Sequence, residues 1–207
     1  MKRLGAGVAD PIAALRFTRE QRLASILRHP GLATCLGNGE GWLAFEALDS
    51  PLDGPFAGSV DRASALAVLR SLALTLAYLH GRGVVHQDVK PAHVFWEASG
   101  RVVLIDLGTA GLTSDDPLAD RGAVGAPAWA APEQLDGAPP APAADLWSLA
   151  RLALWLMGET EPAALAEPLA TLVTRCLAVD PAARPSAVAF HAALRVPAAF
   201  DMEFCSL

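Results

Sequence analysis

The clearest pattern along the chain is a helical repeat of leucines within residues 62–80. Leucines recur there every three or four residues, so they share one face of a helix that we expect to end at Gly81. Arg70 interrupts the apolar run, which favours a buried core helix over a membrane span. Similar apolar stripes predict helices over 144–157 and 169–177, and a last one from the cap Ser186 to about residue 194.

A first helix is expected from Asp10-Pro11 to about Arg28, because a capping side chain followed by proline is a common helix start. Glu20 lies on the apolar face of this helix. A buried carboxylate at this position would need a cationic partner, since an unpaired buried charge is unstable. The alternative is a half-exposed side chain at the edge of the stripe, and the helix pattern alone leaves both open.

Short apolar runs predict strands between the helices. Residues 32–36 and 42–48, joined through the glycine-rich segment 37–41, predict a hairpin, and 83–85 and 102–105 predict two further strands. The Pro/Gly/Asp-rich segment 50–58 predicts a linker between a small sheet-containing lobe and a helical lobe. Residues 109–142, rich in Gly, Pro, Ala and Asp, predict a long loop.

Composition limits the classes of function. With 207 residues, 53% of them hydrophobic, the chain fits one domain or two lobes that share a core. A net charge of −6 without a basic block argues against a nucleic-acid partner. The chain has no secretory signal and three scattered cysteines, so we expect a cytoplasmic protein with no membrane partner and no disulfide framework.

The candidate chemistry lies in two strings. His86-Gln87-Asp88-Val89-Lys90-Pro91-Ala92-His93-Val94 places an aspartate two residues before a lysine, and Ile105-Asp106-Leu107-Gly108 places a second aspartate after a strand. Phosphoryl transfer needs an aspartate that orients a hydroxyl, a lysine that steadies phosphate charge and an aspartate that holds a bridging metal. Three more strings follow in order: Ala131-Pro132-Glu133, Asp145-Leu146-Trp147-Ser148 and Asp180-Pro181-Ala182-Ala183-Arg184-Pro185.

In this order and spacing, the strings resemble the eukaryotic-like serine/threonine protein kinases of bacteria over about residues 1–195. The resemblance implies an α+β, two-lobed protein-kinase-like fold, with a truncated antiparallel-sheet N-lobe and a mainly helical C-lobe. The N-lobe would be residues 1–49, holding a strand remnant, a helix and a hairpin; the C-lobe would be 50–195 and the tail 196–207. The 26 residues from Gly158 to Arg184 are too few to include the family's helix G.

The resemblance also implies roles for individual residues. Asp88 would orient the acceptor hydroxyl and Lys90 would stabilise the transferring phosphoryl group, while Asp106 and His93 would occupy the metal positions. Glu133 and Arg184 would form a buried ion pair that anchors the activation segment, which ends in Gly125–Glu133. Asp145 would hold the backbone of the catalytic loop.

On the nucleotide side, Lys2 would pair with Glu20 to position the phosphates. The alternative is that Leu4-Gly5-Ala6-Gly7 is a glycine loop over ATP, but Gly5 precedes Glu20 by only 15 residues, too few for two further strands. Under either interpretation, we expect the family's full glycine-rich loop and its two strands to be missing. The implied hinge is Glu46-Ala47-Leu48, whose backbone could hydrogen-bond adenine, with Phe45 as gatekeeper and Phe95 as the floor.

Three substitutions depart from the family pattern. His93 stands where the family has a metal-binding Asn, and it could be either a metal ligand or a hydrogen-bonded core residue. Gln87 replaces an Arg, and Ala126 replaces the Thr that usually contacts the catalytic Asp and Lys.

The leading hypothesis is an ATP-dependent phosphotransferase that uses Mg²⁺ (or Mn²⁺) and acts on Ser/Thr hydroxyls of a protein substrate. The competing hypothesis is a pseudokinase, a regulatory module that binds a protein partner. A small-molecule kinase is a third.

Overall fold

The computed structural model describes residues 1–3, 11–54, 60–113 and 125–194. The expectations for Leu4-Gly5-Ala6-Gly7, for the Asp10 cap and for the tail 196–207 lie outside these ranges. The helices of the described residues are α1 (Pro11–Ile26), α2 (Arg62–His80), α3 (Pro132–Leu135), α4 (Pro142–Met157), α5 (Leu169–Cys176) and α6 (Ala187–Ala193). The strands are β1 (Lys2–Arg3), β2 (Cys35–Gly39), β3 (Trp42–Phe45), β4 (Ser50–Pro51), β5 (Val84–Val85), β6 (Val94–Trp96), β7 (Val102–Leu104) and β8 (Gly111–Leu112).

These elements form the two-lobed α+β arrangement that the sequence predicts. In the small lobe, α1 packs on an antiparallel sheet of order β1-β3-β2, around Phe17, Ala24 and Leu43. The large lobe is mainly helical and carries two small antiparallel sheets, β4-β6-β7 and β5-β8. Between α4 and α5 the structure has a single 3₁₀ turn, Pro162–Ala164, and no α-helix. This agrees with the expectation that the family's helix G is missing.

Helix α2 forms the centre of the large lobe. Its limits match the prediction, and the Asp61 side chain accepts a hydrogen bond from the Ser64 amide at 3.0 Å to cap its first turn. By length and composition alone this helix could cross a membrane. Eight of its residues are buried, however, and seven of these lie in the large hydrophobic core. The helix packs against α4 and α6, which is typical of a core helix.

The hairpin of the small lobe is shifted from its predicted limits. The strands were expected over 32–36 and 42–48 with a turn at 37–41, but β2 runs through the glycines to Gly39 and β3 ends at Phe45. The reason is the Trp42 indole, which lies so close to Gly37 and Gly39 that a side chain at Gly39 would collide with it. Gly41, at φ +70°, then makes the tight turn.

The predicted linker is wrong over its first part. Residues 50–51 form β4, which pairs with β6, and Leu52 is fully buried, so this segment packs as part of the large lobe. Polar turn residues predicted a linker, but the backbone of β4 finds strand partners some 45 residues away along the chain. Residues 55–58 lie outside the described residues. The predicted loop 109–142 likewise contains β8 and α3, and 114–124 are not described.

Candidate active site

Asp145 at the start of α4 holds the backbone of the loop that carries Asp88. Its carboxylate accepts hydrogen bonds from the amides of His86 at 2.9 Å and Gln87 at 2.8 Å, and it contacts His80 Nε2 at 2.8 Å. Burial alone would raise the pKa of Asp145, but the hydrogen bond from His80 and the neighbouring donors outweigh it and lower that pKa. The predicted role of Asp145 as the anchor of this loop is confirmed, and Gln87 is held at φ +66°.

Asp88 is held by contacts to both of its carboxylate oxygens. Oδ2 lies 2.7 Å from Lys90 Nζ, and Oδ1 accepts a hydrogen bond from the Ala126 amide at 3.1 Å. The resemblance to the family predicted that a contact to Asp88 is lost at Ala126, because alanine lacks the hydroxyl of the usual Thr. The backbone amide of Ala126 contacts Asp88 instead. The sequence cannot predict such a contact, because every residue except proline carries the same amide.

Lys2, Glu20 and Asp106 meet at one point. Lys2 Nζ lies 2.7 Å from Glu20 Oε2 and 2.9 Å from Asp106 Oδ1. Glu20 is buried, so the question left open by the helix pattern is decided in favour of a paired carboxylate. The contact to Glu20 is an ion pair with poor hydrogen-bond alignment.

The two carboxyl groups that share Lys2 differ in their electrostatics. Burial raises the pKa of Glu20 in spite of the lysine. Burial would also raise the pKa of Asp106, but hydrogen bonds from Lys2 and from the Gly108 amide, with the lysine charge, lower it. Asp106 therefore carries the negative charge of this cluster most readily.

His93 lies between Asp88 and Asp106. Its Nδ1 is 2.9 Å from the carbonyl oxygen of Asp88, and its Nε2 is 3.7 Å from Oδ2 of Asp106. The imidazole is thus hydrogen-bonded on one side and faces a carboxylate on the other.

The described residues contain no group of three or more His, Cys, Asp or Glu that could enclose a metal. Asp106 and His93 are the side chains that would hold a divalent ion here, with one carboxylate oxygen and one imidazole nitrogen as ligands. These two side chains fit a divalent metal.

A cavity of about 410 Å³ opens beside these groups. One part of its wall is apolar, with Phe45, Leu48 and Phe95, and another part carries Lys2, Glu20 and Asp106. All five residues predicted to contact a nucleotide line it: Lys2, Glu20, Glu46, Leu48 and Phe95. An apolar wall next to a charged one suits a ligand with a flat ring and a polyanionic chain.

Glu46 is held on two sides. Its amide donates to Thr34 O at 3.0 Å, and its carboxylate forms a two-pronged pair with Arg101, at 2.7 and 2.9 Å. The hydrogen bonds from Arg101, helped by the Thr34 amide and opposed by burial, lower the pKa of Glu46 to about 2. No sequence pattern indicated Arg101, which directly precedes β7 and also donates to the Pro30 and Leu32 carbonyls.

The ion pair predicted between Glu133 and Arg184 is present. Two guanidinium nitrogens lie 2.6 and 2.9 Å from the two carboxylate oxygens, and the Arg184 side chain is fully buried. The pair links α3, at the end of the segment 125–135, to the turn before α6. That prediction is confirmed.

Comparison with known proteins agrees with this geometry. Residues 16–167 match the protein kinase domain family. The chain belongs to the protein kinase family. It is 32% identical over 154 residues to the serine/threonine-protein kinase PknA of Mycobacterium tuberculosis, a match that covers 68% of this chain and 36% of PknA.

Two other relatives are similarly distant. The chain is 38% identical over 145 residues to the serine/threonine-protein kinase PknJ of Mycobacterium tuberculosis, covering 65% of this chain and 25% of PknJ. It is 33% identical over 156 residues to the serine/threonine-protein kinase pkn2 of Myxococcus xanthus, covering 69% and 18%. The chain thus spans about a third or less of the length of these kinases. Its two lobes are those of a bacterial eukaryotic-like kinase, as the resemblance implied.

Proposed function

We propose that the chain is an ATP-dependent phosphotransferase that transfers the γ-phosphoryl group to a Ser or Thr hydroxyl of a protein substrate. The observation that carries the proposal is the joint retention of Asp88 with Lys90 and of Asp106 with Lys2, at the two sides of one cleft. A domain that only binds a partner has no use for both pairs. The domain limits 1–49, 50–195 and 196–207 and the cytoplasmic location stay predictions.

In this proposal the apolar wall takes the adenine ring and the charged wall takes the phosphates. The Glu46 amide is engaged by Thr34 O, so hydrogen bonds to the ring fall to the Glu46 carbonyl and the Leu48 backbone. Phe45 and Phe95 contribute apolar contact, and Lys2, held by Glu20, lies where it can donate to phosphate oxygens.

At the other side of the cleft, Asp88 orients the acceptor hydroxyl and takes its proton as the new O–P bond forms and the bond from the γ-phosphorus to the β–γ bridging oxygen breaks, which releases ADP. The Ala126 amide and Lys90 fix the two oxygens of Asp88, so the carboxylate is in place before substrate arrives. Lys90, beside Asp88, would neutralise charge on the transferring group. Asp106 would hold a divalent metal, which would supply positive charge to neutralise the phosphates.

The first test is nucleotide binding, measured as the rise in melting temperature with millimolar ATP and Mg²⁺, Mn²⁺ or Co²⁺. A ligand at one hundred times its dissociation constant stabilises a protein by about 2.7 kcal/mol. We expect such a rise with at least one metal. No rise with any of them would refute the nucleotide-binding part of the proposal, and the enzyme with it.

The second test is Asp88→Asn in an assay of phosphoryl transfer from labelled ATP to a generic protein substrate such as casein. We expect a loss of about 10²–10⁴-fold in rate with nucleotide binding unchanged, because a positioned base contributes about that much. Asp53→Asn, at an exposed position of the large lobe, is the matched control and should keep the rate of the unmodified chain. Equal rates for both variants would contradict the assigned role.

The pseudokinase remains the second candidate, and His93 favours it. An imidazole replaces the oxygen ligand that the family offers to its second metal, so a chain that binds nucleotide without turnover is chemically reasonable. The two candidates separate on the same assay: nucleotide binding together with transfer that Asp88→Asn abolishes supports the kinase. Nucleotide binding with no transfer by the unmodified chain supports the regulatory module.

A further inference from the structure

We propose that His93 makes this cleft a site for a nitrogen-ligated transition-metal ion, of the Mn²⁺ or Co²⁺ class, in place of Mg²⁺. The inference rests on the proposed function, because phosphate oxygens of the bound nucleotide supply the remaining ligands. It goes beyond that function in naming which ion the chain selects and which nitrogen selects it.

The first step concerns the tautomer of His93. Its Nδ1 lies 2.9 Å from the carbonyl oxygen of Asp88, and a carbonyl only accepts hydrogen bonds, so Nδ1 carries the proton. In the neutral ring Nε2 then has a free lone pair. A histidine whose second nitrogen donates to a backbone carbonyl has the arrangement that orients metal-binding imidazoles in proteins.

The second step concerns the carboxylate opposite. Oδ1 of Asp106 is engaged by Lys2 Nζ at 2.9 Å and by the Gly108 amide at 3.1 Å. Oδ2 is the oxygen that faces His93, at 3.7 Å from Nε2. First-row ions bind imidazole nitrogen and carboxylate oxygen at about 2.0–2.2 Å, so both atoms are within reach of one ion.

The third step is the chemistry of the pair. Mg²⁺ is a hard ion that binds oxygen at about 2.0–2.1 Å and keeps its waters. An imidazole ligand instead suits first-row transition-metal ions, whose affinity for such a site increases along the series. One nitrogen and one carboxylate oxygen therefore discriminate against Mg²⁺. The buried setting keeps the ring in place, since only 14% of the His93 side chain is exposed.

The decisive measurement is pulsed electron paramagnetic resonance on the unmodified chain with Mn²⁺ and the β,γ-methylene analogue of ATP. A histidine nitrogen on the ion gives a ¹⁴N modulation of the Mn²⁺ echo. We expect that modulation in the unmodified chain and in His191→Asn, and its loss in His93→Asn. His191 is the matched control, because it lies on α6 and its ring Nδ1 contacts the Arg70 carbonyl oxygen, outside the residues of the cleft.

A second measurement uses the ratio of apparent affinities for the analogue with Co²⁺ and with Mg²⁺, from titration calorimetry. His93→Asn should lower the Co²⁺/Mg²⁺ ratio by at least about tenfold, since it exchanges a nitrogen ligand for an oxygen. An unchanged ratio together with no ¹⁴N modulation in the unmodified chain would overturn the inference. That result would leave the kinase proposal standing.

Failure of the kinase proposal is recognised separately. If the analogue does not bind with Mg²⁺, Mn²⁺ or Co²⁺, the nucleotide site itself is refuted, and the metal inference falls with it. If it binds and only the metal ratio and the ¹⁴N signal fail to respond to His93→Asn, the metal inference alone is refuted.

Discussion

At the scale of single residues, the cleft depends on side chains that are fixed before any ligand arrives. Asp145 has no exposed surface and accepts from the backbone of the catalytic loop, and Asp106 takes a left-handed conformation at φ +67°. Strained backbone of this kind persists only where neighbouring contacts impose it. The positions of Asp88 and Asp106 are therefore consequences of their neighbours more than of their own torsional preferences.

Asp145→Asn tests this dependence. The amide keeps one accepting oxygen and turns an NH₂ group towards donors at His86, Gln87 or His80, so a buried donor loses its partner. We expect the free energy of unfolding at neutral pH to fall by about 3 kcal/mol, the upper part of the range for such groups. Urea unfolding measures it. Asp136→Asn, at an exposed site, is the control, and a loss below that of the control would contradict the anchoring role.

At the scale of elements, the two ends of the large lobe are joined by Glu133 and Arg184. The Arg184 side chain is fully enclosed, and its guanidinium lies 5.1 Å from the centre of the Trp147 ring. It donates to the carbonyls of Ala143, Ala178 and Val179. Its removal would leave the Glu133 carboxylate without its cation. The pair thus fixes α3, and with it the segment that brings the Ala126 amide to Asp88.

Arg184→Met keeps much of the side-chain volume and removes the charge. We expect a loss of about 3–5 kcal/mol in the free energy of unfolding, because one buried charge remains unpaired. Arg175→Met is the matched control, since Arg175 is exposed on α5. Differential scanning calorimetry of both variants decides the matter, and equal melting temperatures would show that the pair contributes nothing.

The limits of many helices are predictable from the sequence, whereas the limits of several strands are not. The limits of α2, α5 and α6 follow from apolar spacing and from caps that are local. The hairpin was misplaced because a tryptophan three to five residues away packs on its glycines. The supposed linker 50–58 begins as a strand because β6 offers a free edge, and no local pattern reports that edge.

At the scale of the whole molecule, Arg101 ties the lobes together. It extends from the large-lobe sheet to Glu46 and to the Pro30 and Leu32 carbonyls, between α1 and the small-lobe hairpin. Because Glu46 lines the cavity, the same pair also holds part of the cavity wall.

This pair gives the chain a predictable pH dependence. The pKa of Glu46 falls from its ordinary 4.5 to about 2 in the folded chain, chiefly through Arg101. A carboxyl group whose pKa is lower in the folded chain than in the unfolded chain stabilises the fold at pH values above 4.5. That stabilisation is lost as the pH falls from 4.5 to about 2. Melting temperatures between pH 6 and pH 2 should therefore fall less steeply for Glu46→Gln than for the unmodified chain. Parallel curves would refute this account.

The sequence by itself determined the family, the order of the chemical strings and most helices. Those properties depend on residue identity and on short spacings, which can be read from the sequence alone. Only the tertiary structure decided that Glu20 is paired, that a backbone amide at Ala126 replaces a side chain, and that His93 turns its free nitrogen towards Asp106. Each of these depends on a contact between residues 13 to 38 positions apart, where local pattern carries no information and packing decides the outcome.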